Sequence, residues 1–206
     1  MSVWSTRRFW TSASVEAVDG GFTVQLDTRP VRTPLKAPLV LPTRDLAEAI
    51  AAEWQAQQGK VNPATMPFTR TANSAIDKVA PQFDAVAEML AAYGDSDLLC
   101  YRAESPPELV DRQARGWDPL IGWAATDLGA PLVSTPGVIH INQPADSLAR
   151  LHALVARQSP FQLAAFHDLV AISGSSVLSL AVTRQRLTPD RAWELTRMHE
   201  DWHLSR

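Results

Sequence analysis

At Thr43 the hydrophobic period of this chain changes, and that change constrains the fold more than any motif does. Upstream, "SVEAVDGGFTVQLDTRPV" sets two alternating runs around Asp19-Gly20-Gly21, a hairpin pattern whose second strand puts Phe22, Val24 and Leu26 on one face. "VRTPLKAPLVLPT" extends the β region, but Pro34, Pro38 and Pro42 remove ladder donors and suit an edge. From Thr43 the spacing becomes helical. Thr43 is a capping residue, Leu46, Ile50 and Trp54 recur every four residues, and Gly59 is a stop. This helix is expected to pack on the preceding sheet, with Trp54 clamped between them.

"GKVNPATMPFTRT" reads as a connecting loop, and beyond it the punctuation is helical. Pro81 precedes Phe83, Val86 and Leu90, and Gly94 follows them. Ser105-Pro106-Pro107-Glu108 has the form of a capping box, and Asp118-Pro119 marks a kink or a fresh start beside Trp117 and Trp123. Asn142-Gln143-Pro144 and Ser159-Pro160 open further helices, "SSVLSLAV" is apolar enough to be buried, and "PLVSTPGVIHINQ" looks extended. The expected fold class is α+β: a small β-rich unit with one packed helix over residues 1–64, then an all-helical unit over residues 65–206. Trp54 and Trp117 are assigned to the core, with Trp4, Trp10 and Trp202 left open.

Hydrophobic residues at 46% and charged residues at 20% are ordinary globular values. Net charge is −3 and the basic residues are scattered rather than clustered, which argues against a nucleic-acid partner. The single cysteine, Cys100, excludes an internal disulfide framework and suits a reducing compartment. No run approaches the ~18 apolar residues of a membrane span, and "MSVWSTRRFW" lacks a signal-peptide core. A soluble protein is expected, either cytoplasmic or already stripped of a transit peptide.

The most specific chemical motif is His-Glu-x-x-His at residues 199–203. On a helix, His199 and His203 are one turn apart and can turn two imidazoles toward one zinc ion, with Glu200 as general base. The alternative function is therefore a zinc hydrolase using these three residues. Against it, no third ligand follows before Arg206, and His140, His152 and His167 could complete a site only through the fold. The same segment also reads as an ordinary helix, with Thr188 as cap, Pro189 at its start and a core stripe of Leu195, Met198 and Trp202; His199 falls on the stripe's edge. Weaker candidates have structural readings as well. Cys100 among leucines is a small hydrophobe, Ser175 and Ser176 lack a nucleophile-elbow pattern, and Asp95 and Asp97 suit turn or helix capping better than a divalent metal.

Taken together, "LDTRPVRTPLKAPLVLPT", "LAEAIAAEWQAQ", "NPATMPFTRTANSAIDKV", "YGDSDLLCYRA" and "WDPLIGWA" resemble, in order and spacing, the ATP synthase assembly chaperones of the α subunit, the family numbered twelve among the assembly factors. The resemblance runs from about Val15 to Trp202. It implies a non-enzymatic, cofactor-free monomer that binds the free α subunit of the F-type ATP synthase head and shields its contact surface before β subunits arrive. It also implies a β-rich N-terminal domain joined to an orthogonal helical bundle, and a bacterial cytoplasmic location, relatives occurring in α-proteobacteria and in mitochondria. The chain departs from the family at "EDWHLSR", where relatives continue into a Trp-Gly and an acidic tail. In relatives the acidic-aromatic segment aligned with Glu200, Asp201 and Trp202 carries no metal. Those three residues are the expected partner contacts.

Overall fold

A computed structural model describes residues 7–204, so Trp4 lies outside the described residues. The chain divides into two compact units, Met1–Phe83 and Asp84–Arg206.

In the first unit, β1 (Ala13–Val18) and β2 (Gly21–Leu26) form an antiparallel hairpin in which Val15 pairs with Val24 and Val18 with Gly21. Beyond β2 the prolines act as expected. The third strand, β3, is only Arg29–Pro30, and the rest of the extended segment touches the sheet through single bridges such as Phe22 with Leu41. Gly21 makes that approach possible: a Cβ there would overlap the Leu41 carbonyl oxygen, which accepts the Phe22 amide at 2.9 Å. Thr43 caps α1 (Arg44–Gln55) by accepting the Leu46 amide at 3.3 Å, and the helix lays Ala47, Ile50, Ala51 and Trp54 on the sheet. Trp10 is buried edge-on against Trp54, with ring centroids 5.3 Å apart.

Residues 65–83 side with this first unit, although the sequence reading assigned them to the second. Two carboxylates account for the difference. Glu53 on α1 accepts the Phe68 amide at 2.7 Å and the Thr69 amide at 2.8 Å, occupying the otherwise open N-terminus of α2 (Pro67–Ser74). After α2 the chain takes a π-helical turn, Ala75–Val79, in which Asp77 accepts the Thr33 hydroxyl at 2.6 Å and the Leu35 amide at 3.0 Å.

The second unit is helical: α3 (Phe83–Ala91), α4 (Pro107–Thr126), α5 (Ala145–Val155), α6 (Pro160–Ser173), α7 (Ser176–Thr183), α8 (Pro189–Thr196) and α9 (Met198–Leu204). A two-residue parallel pairing joins β4 (Tyr101–Arg102) to β5 (Thr135–Pro136). Helix α7 is the apolar "SSVLSLAV" segment, buried along most of its length and packed against α4, α6 and α8. Its N-terminus is held by the buried Asp97, which accepts the Val177 amide at 3.0 Å and the Ser175 hydroxyl at 2.7 Å. Burial raises the Asp97 pKa above 3.8, and the hydrogen bonds it accepts partly offset that rise.

Three local expectations are revised. The capping box at Ser105 does not form, because Pro106 occupies the cap position of α4 without a side-chain hydrogen bond. Of the kink or fresh start expected at Asp118-Pro119, the fresh start is absent, because α4 runs through Pro119. The helix expected to run from Thr188 past His203 is interrupted at Arg197. The Leu195 carbonyl, which a continuous helix would offer to the His199 amide, instead accepts the Trp117 indole N–H at 3.0 Å.

Candidate functional site

The His-Glu-x-x-His segment falls on α9, so its two histidines do share a face, but they pack on each other. Their rings are 4.7 Å apart, edge to face. Among the described residues no group of three His, Cys, Asp or Glu is arranged to hold a metal ion. Glu200 faces Arg197 at 3.6 Å, and Asp201 accepts from the same guanidinium at 3.3 Å. Arg197 also stacks over the half-exposed Trp193 ring at 5.2 Å. The arrangement can present a charged, aromatic surface to another protein, and Trp202 sits half-buried within it.

The other sequence candidates serve the fold. Cys100 is fully buried, and burial, followed by the nearby Asp97 charge, pushes its thiol pKa up to about 12, far from a reactive thiolate. Ser175 gives its hydroxyl to Asp97 while accepting the Leu178 amide at 3.0 Å, which makes it the cap of α7. Asp95 and Asp97 point to different tasks. Asp95 takes the Gln143 amide at 3.0 Å and lies 3.0 Å from His140, whereas Asp97 is turned into the core. Trp54 and Trp117 are 7% and 1% exposed.

Two surface features escaped the sequence reading. The first is the tip of the segment that follows β5, where Val138 is 90% exposed and Ile139 81%. The tip is braced on both sides. Before it, Gly137 donates to the Arg102 carbonyl at 2.8 Å; after it, His140 and Gln143 are both held by Asp95. The Gln143 side chain further clasps the Val133 amide at 2.8 Å and carbonyl at 2.9 Å. Two adjacent aliphatic side chains are thus held out in water on a fixed base. The signal was present in "PGVIHIN", an apolar run with no helical or alternating partner.

The second feature is a cleft of about 270 Å³ where α4 faces α8 and α9, lined by Arg112, Arg115, Arg191, Glu194 and Asp201, with Gly116 and Met198 at its base. Gly116 sets its depth, since a Cβ there would stand 2.5 Å from the Met198 methyl and 3.0 Å from a Leu195 methyl. The Arg-x-x-Arg spacing on α4 was legible, but its opposing helices were not.

Comparison with known proteins adds four findings. Residues 7–125 match the model of a family described as ATP12 chaperone protein. The chain is 27% identical over 216 residues to mitochondrial protein atp12 of Schizosaccharomyces pombe, covering 98% of this chain and 74% of the relative. Among solved structures it resembles the crystal structure of Atp12 from Paracoccus denitrificans, with a TM-score of 0.93 and 56% identity over 97% of this chain and 86% of that one. A point mutant of the P. denitrificans protein gives a TM-score of 0.95 at 54% identity, over all of this chain and 88% of the other.

Proposed function

Because this chain belongs to the ATP12 chaperone family, we propose that it is an assembly chaperone of the F-type ATP synthase that holds the free α subunit of the catalytic head until β subunits join it. The observation that carries this reading to the molecule is the braced Val138–Ile139 tip. A protein seldom holds two large aliphatic side chains 90% and 81% exposed on a fixed base unless a partner covers them. An unassembled subunit presents the complementary liability, an apolar contact surface that aggregates when left open. In this reading the protein is a cofactor-free monomer that performs no chemistry, works in the bacterial cytoplasm and gives up its client when the β subunit competes for the same surface. Glu200, Asp201 and Trp202 are the proposed client contacts on α9.

The reading is tested by diluting purified α subunit into buffer with and without this protein. Light scattering by the α subunit should fall in its presence, a one-to-one complex should elute on gel filtration, and added β subunit should release the chaperone. A stable complex with the assembled α and β subunits, or undiminished aggregation, would count against it.

A further inference from the structure

Resting on that reading of the protein as a client-binding chaperone, we infer that the cleft between α4 and the α8–α9 pair is the client's electrostatic anchor and that the client segment it receives is acidic. The sign follows from which charges are already engaged. Glu194 pairs with Arg191 at 2.7 Å, and Asp201 pairs with Arg197 at 3.3 Å, so both carboxylates lining the cleft have internal counter-ions. Glu200 lies 3.6 Å from the same Arg197. Arg112 and Arg115, both exposed, make no ion pair or hydrogen bond with any described residue. Glu108 and Asp111, one turn upstream of each on α4, are not among the cleft's lining residues and do not pair with them.

Two guanidiniums three residues apart on one helix face repel each other, and neither has a direct ion pair or hydrogen bond with any described residue. A carboxylate entering between them would relieve that repulsion, because arginine presents a planar fork that grips carboxylate through two parallel hydrogen bonds. The cleft walls make the location specific. Met198 and Gly116 form an apolar base, and charges beside low-dielectric walls act more strongly than the same charges on an open face. A volume of about 270 Å³ suits one or two side chains of a protein segment. Glu200 and Asp201, the client contacts proposed on α9, are each paired with Arg197, itself held over Trp193, so they leave Arg112 and Arg115 as the charges that meet the acidic segment.

The test is binding of the α subunit by full-length protein, wild type against Arg112→Glu with Arg115→Glu, at low and at physiological salt. Both side chains are exposed, so the double variant should keep the wild-type melting temperature; Arg112→Gln with Arg115→Gln provides a milder pair if it does not. We expect the charge reversal to weaken binding about tenfold or more, mainly by slowing association, and to flatten its salt dependence. The Gln pair should fall between, and Arg112→Lys with Arg115→Lys should restore part of the affinity by keeping charge without the fork. Unchanged affinity in the reversed variant, or tighter binding that signals a basic client surface, overturns the inference and leaves the chaperone reading intact. If wild type itself fails to retain the α subunit, the chaperone reading fails, and this inference falls with it.

Discussion

In the first unit Glu53 fixes α2 by reaching 15 and 16 residues ahead, to Phe68 and Thr69, whereas in the second Asp97 and Trp117 each bond across 78 residues, to Ser175 and Leu195. Even the longest side-chain tie among the described residues of the first unit, Arg8 to the Gln57 carbonyl, spans 49. The difference teaches where each unit keeps its specificity. Local ties form at small loop-closure cost, so the first unit's hairpin and α1 can meet early. The second unit's ties form only once α4, α7 and α8 have been brought together, and they decide details that local sequence leaves open. Two of the buried tryptophans, Trp54 and Trp117, show the same division. The Trp54 indole N–H has no hydrogen-bond partner among the described residues and the ring works by packing, while the Trp117 indole is a directed donor.

Three substitutions of decreasing effect test the comparison. Trp54→Ala should cost the most, about 3–5 kcal/mol, by opening a cavity beside Trp10 and Ile50. Chemical denaturation would show this as a lowered midpoint, and an unchanged midpoint would mean that the first unit does not depend on packing. Asp97→Ala should cost about 3 kcal/mol at neutral pH. It strands the Val177 and Leu99 amides and the Ser175 hydroxyl.

Asp97 also makes a pH-dependent prediction. Its pKa is raised in the folded protein, so the native state holds a proton more readily than the unfolded chain. The stability from this proton is fully present below 3.8 and is lost as pH rises through the raised native value. Measured against Asp97→Asn, which does not titrate, wild type should therefore lose relative stability as pH climbs through that window and level off above it. A relative gain with rising pH would reverse our view of what burial does to this carboxyl.

The smallest effect sharpens the comparison rather than breaking it. Trp117→Phe should cost about 1–2 kcal/mol, for one hydrogen bond and a modest loss of packing. It should also free the Leu195 carbonyl for the His199 amide, joining α8 to α9. Amide exchange at His199 should then slow, even though the protein as a whole is less stable.

What the sequence determined by itself was the content of each local segment: the hairpin around Asp19-Gly20, the Thr43 cap and packed face of α1, the opening of α6 at Ser159-Pro160, and the burial of α7. These depend on residues within a turn or two of one another, so period and capping chemistry suffice to read them. The tertiary structure alone decided that residues 65–83 join the first unit, that α8 and α9 are separate, that Asp95 faces the surface and Asp97 the core, and which arginines of the cleft keep an unpaired charge. Each of those outcomes is a choice of partner between segments distant in the chain. A side chain's residue type fixes what it can bond, but only the packed fold fixes which partner lies within about 3 Å of it.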